Sequence, residues 1–445
     1  MSELVSSAAD AALRPPQRDS RRNLIAFFGD MGAFNIGMYF MPTTTILVGL
    51  ASLLTDDKAL IGIVGLAWKA SWYLPQLLAA RLLHGRPRKK PYLFWSALFG
   101  RQTILLLALW LIFTQGSAPL LTVWLIIGAV AIFSGSDALA SIAWFDLLGR
   151  AFTPRMRSRL FAVGQFVGSL IGIGVGVIAE RLLANEGWPV ITRYAAVLIC
   201  GYLGFQVSTL FVILIQELPP VPGAPGEEHV EQRSFRDLLS AAFSGDVAFR
   251  RALLGRGLTF LETMVSSFYV VFAKNELGLG PEAVGLFSVA FIVGSVIGVA
   301  IFGTIADRFG TRRVSQLASW LHFLAPMLVL LIILVPGLAP IGVSVMLVVM
   351  GINGALEHSL VMGYLGYAMD IASDQSRGAY IAAINTLSGL ISLSPFLGGV
   401  LIDSLTTVVG SRAAYGITFG GVSAIVMIGA IVALGLPKPG PARAR

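Results

Sequence analysis

The sequence predicts an all-α integral membrane protein with twelve transmembrane helices, arranged in two six-helix bundles with both termini in the cytoplasm. Three observations predict it: the composition, the number of long apolar segments and the distribution of basic residues between loops. Of the 445 residues, 56% are hydrophobic and 13% are charged, whereas soluble domains carry about 25% charged residues. A chain this apolar needs the bilayer as its solvent.

Each predicted span is a mainly apolar segment of roughly 20 residues or more, the length that a helix needs to cross a bilayer. An N-terminal bundle at residues 23–216 contains the first six spans, at 24–54, 59–83, 92–114, 118–148, 158–183 and 190–215. A C-terminal bundle at residues 251–437 contains the other six, at 252–275, 282–306, 313–335, 338–371, 377–403 and 412–436. Residues 1–22 and 438–445 are expected to be cytoplasmic tails, the first of them disordered.

The longest loop, residues 217–250, separates the two bundles and is predicted to be cytoplasmic. It contains PPVPGAPG at 219–226, a composition typical of a stiff, non-helical linker. Downstream, Phe235, Leu238 and Leu239 recur at helical spacing among charged residues, which predicts a short amphipathic helix on the inner membrane surface. A linker that does not touch the membrane is the alternative.

Loops rich in basic residues alternate with loops that are poor in them. The rich loops include Arg86, Lys89, Arg150 and Arg312, whereas the intervening loops carry isolated cations such as Lys58. The positive-inside rule places the rich loops and both termini in the cytoplasm. We therefore expect a multi-pass protein of the cell's inner (plasma) membrane. The net charge of +8 follows from this orientation, so we expect no nucleic-acid partner.

One of the basic loops carries a motif that is repeated across the middle of the chain. Residues 303–313 read GTIADRFGTRR, and a weaker copy, LAARLLHGRPRKK, lies at 78–90. The first of these resembles the loop motif G-x-x-x-D-R-x-G-R-R of the major facilitator superfamily, with Thr311 inserted before the arginine pair. The matching residues are Gly303, Asp307, Arg308, Gly310, Arg312 and Arg313. The weaker copy keeps Gly85, Arg86, Arg88 and Lys89 but has Leu82 in place of the aspartate.

The resemblance implies a secondary active transporter that exposes one central site alternately to the two faces of the membrane and moves a small solute. It also implies a gate at the motif, because Asp307 can pair with arginines in one conformation and release them in another. A charge cluster that only sets membrane orientation is the alternative. The segment SPFLGG at 394–399 also resembles a feature of the superfamily. We expect a monomer in the lipid bilayer.

Ionisable side chains inside predicted spans are costly and are therefore functional candidates. Spans 1, 4, 7 and 10 contain one such acid each, and the resemblance implies that these spans line a central cavity. The acids are Asp30, Asp137, Glu262 and Glu357. The candidate cavity residues beside them are Lys69, His358, Asn35, Tyr39, Tyr269 and Asn385. A structural ion pair of Lys69 with Asp137 or Asp30 is the alternative, and we interpret Arg101 and His322 as structural.

The intramembrane acids also predict the coupling ion. Burial opposes the charged form of a carboxyl group and a nearby cation favours it, so an acid placed between both effects can bind and release a proton. We expect Asp137, Glu262 and Glu357 to couple protons to transport, with Lys69 as the counter-charge. The alternatives are a sodium symporter of the melibiose-carrier type, which GRPRKKPYLF at 85–94 faintly resembles, and a non-transporting membrane sensor with the same fold.

Two further patterns bear on packing and on the class of protein. Gly164, Gly168, Gly172 and Gly176 lie at four-residue spacing and predict a ridge against which another helix packs closely. No H-E-x-x-H, G-x-S-x-G or G-x-x-x-x-G-K-[ST] motif occurs in the sequence, so we expect neither an enzyme nor an ATP-driven pump. We expect no cofactor and no metal site.

Overall fold

The computed structural model describes residues 19–73, 75, 82–83, 86–219, 247–357, 359–372 and 377–438. Within these ranges the chain forms α-helices with short π- and 3-10-helical segments and contains no strand, which confirms the all-α fold. Nine helical segments in these ranges are long and apolar enough to cross a membrane. They correspond to all the predicted spans except the second, fifth and seventh. The full count of twelve spans and the orientation of the termini stay predictions.

The first half of the described chain, residues 19–219, contains seven α-helices. Helix α1 (Arg21–Tyr39) is followed by a π-helical turn (Thr43–Leu47) and by α2 (Val48–Leu54). The other five are α3 (Lys58–Tyr73), α4 (Lys90–Thr114), α5 (Pro119–Ala151), α6 (Pro154–Leu183) and α7 (Val190–Leu214). A proline in the first two positions of α4, α5 and α6 marks their starts, where its missing N–H has no helical partner to lose.

The second half, residues 247–438, contains ten α-helices in the described ranges. They are α8 (Val247–Phe260), α9 (Thr263–Ser266), α10 (Tyr269–Leu277), α11 (Pro281–Phe309), α12 (Thr311–Leu334), α13 (Gly342–Leu356), α14 (Gly366–Ile371), α15 (Arg377–Ile391), α16 (Ser394–Val409) and α17 (Ser411–Leu434). A 3-10 segment (Pro336–Ile341) precedes α13, and a π-helical turn (Leu360–Leu365) precedes α14. The predicted amphipathic helix of the linker lies outside the described residues.

Four predicted spans are interrupted, which the prediction of continuous helices missed. The predicted helix at 24–54 breaks before Pro42, which has no N–H to continue the ladder. The predicted helix at 252–275 breaks at 261–262 and again at 267–268, and the one at 338–371 leaves the α-form at Glu357. The predicted helix at 377–403 breaks at 392–393 and then runs on to Val409.

Hydroxyl groups explain the break in the seventh predicted span. Thr263 Oγ1 donates to the backbone carbonyl of Phe260 at 2.9 Å, and Thr259 Oγ1 donates to that of Gly255 at 2.8 Å. Such side-chain bonds compete with the helical ladder and satisfy carbonyls that an interruption releases. A helix can therefore change direction here without leaving polar backbone groups unpaired.

The glycine ridge on α6 is confirmed as a packing surface for α1. A Cβ atom at Gly168 would lie 3.0 Å from Asn35 Nδ2, and one at Gly172 would lie 2.7 Å from the Tyr39 ring. Because α1 and α6 carry these residues at matching four-residue intervals, the side chains of one helix lie on the bare backbone of the other. Gly176, one turn further along, faces Ile292 of α11 instead.

The two halves meet along two pairs of helices, α6 with α11 and α3 with α16. At the end of α3 that bears Lys58, the carboxylate of Asp403 accepts the Lys58 backbone N–H at 2.8 Å. In the adjoining region, Thr45 Oγ1 and Ser288 Oγ share a hydrogen bond of 2.8 Å between the halves. The charge distribution predicts that this end of the molecule faces outward.

Helices α11 and α13 pack backbone against backbone. A Cβ atom at Gly294 would lie 1.9 Å from the carbonyl oxygen of Gly351, and one at Gly354 would lie 1.8 Å from that of Phe291. No side chain fits at either position without separating the helices. This pair therefore forms a rigid element of the second half.

A single glycine joins α11 to α12. Gly310 has φ +81° and ψ 162°, a backbone conformation that is essentially confined to glycine. Gly410 adopts nearly the same conformation, with φ +83° and ψ 161°, between α16 and α17. The second glycine of the loop motif is therefore required by the shape of the turn.

Candidate functional site

The intramembrane acids line two separate pockets. The first-half pocket has a volume of about 240 Å³, and only side chains of the first half surround it. Its polar residues are Asp30, Asn35, Arg101, Asp137, Ser141 and Trp144. The central pocket has a volume of about 110 Å³ and lies between the halves. It is lined by Thr44, Lys69 and Tyr73 of the first half and by Arg256, Phe260, Glu262, Thr263, Ser266, Phe291, His322, Asn353, Leu356, Glu357 and Leu360 of the second.

Both carboxylate oxygens of Asp30 accept a hydrogen bond in the first-half pocket. Ser208 Oγ donates to its Oδ1 at 2.5 Å, and Trp144 Nε1 donates to its Oδ2 at 2.7 Å. The side chain is buried and joins α1 to α5 and α7. Buried polar groups that are satisfied in this way hold helices in register, so the arrangement favours a structural role for Asp30.

Arg101 supplies the positive charge of the same pocket. Its guanidinium is buried and donates to the carbonyl of Phe205 at 2.8 Å and to the Thr209 hydroxyl. The charges of Asp30 and Asp137 act on it, and Asp137 is also hydrogen-bonded to Trp72. Two acids therefore share one cation, and within the described ranges Asp137 has fewer hydrogen bonds than Asp30.

Glu262 is the buried acid of the central pocket. Tyr269 Oη donates to its Oε1 at 2.9 Å, and His322 Nδ1 lies 3.6 Å from its Oε2. The side chains of Glu262 and His322 are both almost completely buried. Glu262 thus has two partners from its own half, one of which changes charge when it binds a proton.

Two cations in the central pocket share one aromatic ring. Lys69 Nζ lies 5.1 Å from the centroid of Phe260, and the guanidinium carbon of Arg256 lies 3.8 Å from it. Lys69 belongs to α3 in the first half and Arg256 to α8 in the second. Glu357 is exposed and lines the same pocket, and its charge and that of Glu262 act on Lys69.

Helix interruptions surround the central pocket. Thr44 lies in the π-helical turn after Pro42, Glu262 lies between α8 and α9, and Glu357 ends α13. Asp30 and Asp137 instead lie inside the regular helices α1 and α5. Interrupted helices near the middle of the membrane are where transporters form binding sites, because released backbone groups and side chains face a cavity there.

The described side chains divide the predicted cavity residues between two pockets. Asp30, Asp137 and Asn35 line the first-half pocket, and Lys69, Glu262 and Glu357 line the central pocket, because α1 and α5 turn their acids toward α4 and α7. Tyr269 reaches the central site through Glu262, whereas Tyr39 lies on Gly172. Asn385 lies on α15 and is not among the residues that line either pocket, and His358 lies outside the described residues.

Three pocket residues were missed or interpreted as structural from the sequence. Arg256 was not singled out, although an arginine five residues inside a predicted span is a signal in itself. His322 and Arg101 were interpreted as structural, yet each lines a pocket beside an acid. Within the described residues, no group of three or more His, Cys, Asp or Glu side chains is arranged to hold a metal ion.

The loop motif ties α12 to its neighbours in the second half. Thr311 Oγ1 donates to Asp370 Oδ2 at 2.5 Å, and Arg312 Nε donates to the carbonyl of Leu436 at 2.5 Å. Asp307 and Arg308 are exposed, and in the ranges that the structure covers Asp307 forms no ion pair. In this conformation the motif aspartate therefore has no charged partner among the described residues.

Acids from other segments of the first half contact the basic residues in and beside the weaker copy of the motif. Glu217 accepts the backbone N–H of Lys89 at 2.6 Å, and Asp146 forms an ion pair with Arg150. Burial lowers the pKa of the Lys89 ammonium, which the Asp146 carboxylate 4.0 Å away opposes. Acids of α5 and of the segment after α7 therefore surround this loop, in which Leu82 replaces the motif aspartate.

Comparison with known proteins finds a family model that matches part of the chain. Residues 252–445 match the family model of the Major Facilitator Superfamily. An MFS-type efflux pump of Mycolicibacterium smegmatis is 26% identical over 299 residues, 64% of this chain and 64% of the relative. The uncharacterized MFS-type transporter YfkF of Bacillus subtilis is 33% identical over 105 residues, 24% of this chain and 25% of the relative. The chain thus spans less than two thirds of the length of each of these curated relatives.

Solved transporter structures share the fold over almost the whole chain. A D-xylose-proton symporter superposes with a TM-score of 0.65 at 15% identity, covering 94% of this chain and 98% of that one. A bacterial homologue of the iron transporter ferroportin in an inward-facing state gives a TM-score of 0.67 at 12% identity, covering 93% and 98%. At these identities the likeness concerns the fold alone.

Proposed function

We propose that this chain is a multi-pass membrane transporter of the major facilitator superfamily, and that it moves a small solute across the cell's inner (plasma) membrane by proton-driven alternating access. One observation carries the proposal. Two acids at helix interruptions, Glu262 and Glu357, line a central pocket together with cations from both halves. Solute, proton and the moving interface between the halves would therefore meet at one place.

The contacts between the halves support alternating access. Asp403 with Lys58 and Thr45 with Ser288 close the end of the molecule that the charge distribution predicts to be extracellular. We therefore assign this conformation to a state closed toward the outside. Transport requires a second state in which these polar contacts break and the other end closes.

Proton coupling is assigned first to Glu262. Its partners Tyr269 and His322 belong to the same half, so they remain beside it while the halves move. The charge of Lys69 comes from the other half, and its distance from Glu262 changes when the halves rock. A carboxylate whose cation approaches and departs is favoured as ionised in one state and as protonated in the other. The D-xylose-proton symporter, which has the same fold, is by its name a proton-driven carrier.

The remaining candidates receive secondary roles. Glu357 lies within reach of the solute and is proposed to bind the second proton or to contact the solute. Asp137, the less bonded acid of the first-half pocket, is proposed as a further proton site, and Asp30 as its structural neighbour. The motif from Gly303 to Arg313 is proposed as the gate that engages Asp307 when the inner end closes.

The test begins with finding a solute, because transport cannot be measured without one. A thermal-shift screen of the purified protein with small acids, amines, sugars and nucleosides supplies hits. Uptake of each hit is then measured in proteoliposomes under an imposed pH gradient and without sodium. We expect the solute to accumulate against its own concentration gradient, and we expect an uncoupler, which dissipates the pH gradient, to abolish this accumulation.

Variants separate coupling from binding. Glu262→Gln and Glu357→Gln should lose accumulation driven by the pH gradient, while Glu262→Gln keeps exchange of labelled for unlabelled solute, which needs no net proton movement. The matched control is Glu282→Gln, an exposed glutamate in the first turn of α11. Undiminished accumulation in the Glu262→Gln, Glu357→Gln and Asp137→Asn triple variant rejects proton coupling, and strict dependence on sodium replaces it with sodium symport.

A further inference from the structure

Among the described residues, the two cations of the central pocket are not held in direct ion pairs. In the part of the chain that the structure describes, neither Lys69 nor Arg256 forms an ion pair with a carboxylate. Arg256 is only 3% exposed, and its Nε has no hydrogen-bond partner. Desolvating a guanidinium without pairing it is costly, so such a group is kept where a ligand completes it.

The buried acid of the central pocket is already engaged by partners of its own half. Glu262 accepts from Tyr269 at 2.9 Å and faces His322 at 3.6 Å, both on its own half. His322 Nε2 has no partner within the described residues and lines the same pocket. The groups of the pocket that remain available to a ligand are therefore mainly nitrogen donors, those of Lys69, Arg256 and His322. Lys69 and Arg256 carry a fixed positive charge.

We propose that Lys69 and Arg256 form an anion site that binds the carboxylate of a small organic acid, with its apolar body against Phe260, Phe291 and Leu356. The planar fork of an arginine matches a carboxylate, and a lysine adds a point charge from the other side. A single negative charge suits the site, because Glu262 and Glu357 already offset part of the positive charge. The inference rests on the proposed function, since it names the class of solute for that same pocket.

The site also joins solute binding to protonation. The charges of Glu357 and Glu262 act on Lys69 when these acids are ionised. Protonation of either acid removes a negative charge that competes with the bound carboxylate. Proton and organic acid therefore promote each other's binding, and they enter the pocket together with no net charge.

Equilibrium binding tests the site without any need for transport. Isothermal titration of the purified protein compares acetate, butyrate and benzoate with benzamide, a neutral analogue of the same shape as benzoate, and with benzylamine, a cation. We expect at least one acid to bind, benzoate to bind at least tenfold more tightly than benzamide, and benzylamine not to compete with it. Lys69→Gln and Arg256→Gln should each weaken acid binding at least tenfold, and Arg256→Lys should restore part of it.

The matched control is Arg251→Gln, which removes the same charge from the same helix at an exposed position that donates to the Gly435 carbonyl. Thermal unfolding identifies a variant that fails to fold, and the Lys69 variant, which lies in the other half, then decides. The proposal is overturned if none of the three acids binds, if benzamide or benzylamine binds as tightly as benzoate, or if both glutamine variants keep the affinity of the parent.

The two proposals fail separately. If benzoate binds through Lys69 and Arg256 but no acid is moved in proteoliposomes, the anion site stands and the transport proposal falls. If a pH gradient drives uptake of a neutral or cationic solute and no acid binds, transport stands and the anion site falls.

Discussion

The carboxylate of Asp403 lies 3.2 Å from the ammonium of Lys58 and, through its second oxygen, accepts the Lys58 backbone N–H at 2.8 Å. The same oxygen accepts the N–H of Ala59 at 3.1 Å. A side chain of the second half thus caps a helix of the first half, and it does so at the end where the halves are in contact. A cap of this kind stabilises a helix start by about 0.5–2 kcal/mol.

Removing this cap should open the contact between the halves. Asp403→Ala loses about 1 kcal/mol that is present only while the halves touch, which changes the ratio of closed to open molecules about fivefold. The readout is thiol labelling of Thr45→Cys in a Cys200→Ser background, because Thr45 is buried where the two halves meet. The control is Asp56→Ala, which removes an exposed acid two residues before Lys58. Equal labelling rates in the Asp403 variant and the control contradict the prediction.

The loop motif should contain one glycine that is required by geometry and one that is not. Gly310→Ala forces a side chain into a conformation with φ +81° and should cost about 1–3 kcal/mol. Gly303→Ala is the control within the same motif, because a Cβ there meets nothing within 4 Å. Scanning fluorimetry in detergent should show a lower apparent Tm for Gly310→Ala alone. A similar fall for Gly303→Ala contradicts the prediction, because it means that this glycine is required for stability as well.

The contact between α11 and α13 should tolerate no added methyl group. Gly354→Ala places a Cβ 1.8 Å from the Phe291 carbonyl oxygen, so the helices must separate, at about 1–3 kcal/mol. Gly421→Ala in α17 meets nothing within 4 Å and should be neutral or stabilising by up to about 1 kcal/mol. Apparent Tm values measure both. A stable Gly354→Ala protein means that the two helices are free to move apart.

Arg101 and Asp30 should behave as one unit in the first-half pocket. Arg101→Leu leaves the buried Asp30 and the half-buried Asp137 without the cation whose charge acts on them, and an uncompensated buried charge costs about 3–5 kcal/mol. Asp30→Asn in the same protein removes one of these charges and should recover part of the loss. A double-mutant cycle on unfolding in SDS measures the coupling between the two sites. Strictly additive losses indicate that Arg101 acts through Phe205 and Thr209 only.

Local patterns in the sequence predicted the helices and their direct packing well. Apolar length and turn residues are properties of neighbouring positions, so α12 (Thr311–Leu334) lies within two residues of the predicted span at 313–335. The glycine ridge on α6 was predicted from its spacing, because the missing side chains themselves form the surface. The breaks at 261–262 and at Glu357 were not predicted, since they depend on where hydroxyl groups and neighbouring helices receive released backbone groups.

The division of the acids between two pockets is the part that the sequence could not supply. Depth in the membrane follows from counting residues along a helix, but the direction in which a side chain points depends on which helices pack around it. Asp30 finds its partner Ser208 at a separation of 178 residues, and no local pattern connects them. Arg256, by contrast, is a cation inside a predicted span. The rule that makes an intramembrane acid a functional candidate would have selected it, had it been applied equally to cations.

The ring of Phe260 carries a cation from each half, and under the proposed function this limits the rate of turnover. A ligand that holds Lys69 and Arg256 together fastens the two halves to each other, so a tighter ligand deepens the occluded state from which it must escape. Weak solutes should therefore cycle quickly, and the tightest ones should behave as inhibitors that saturate the carrier without leaving it. The time that a ligand stays bound at Phe260, more than its affinity, would therefore distinguish the natural solute from its analogues.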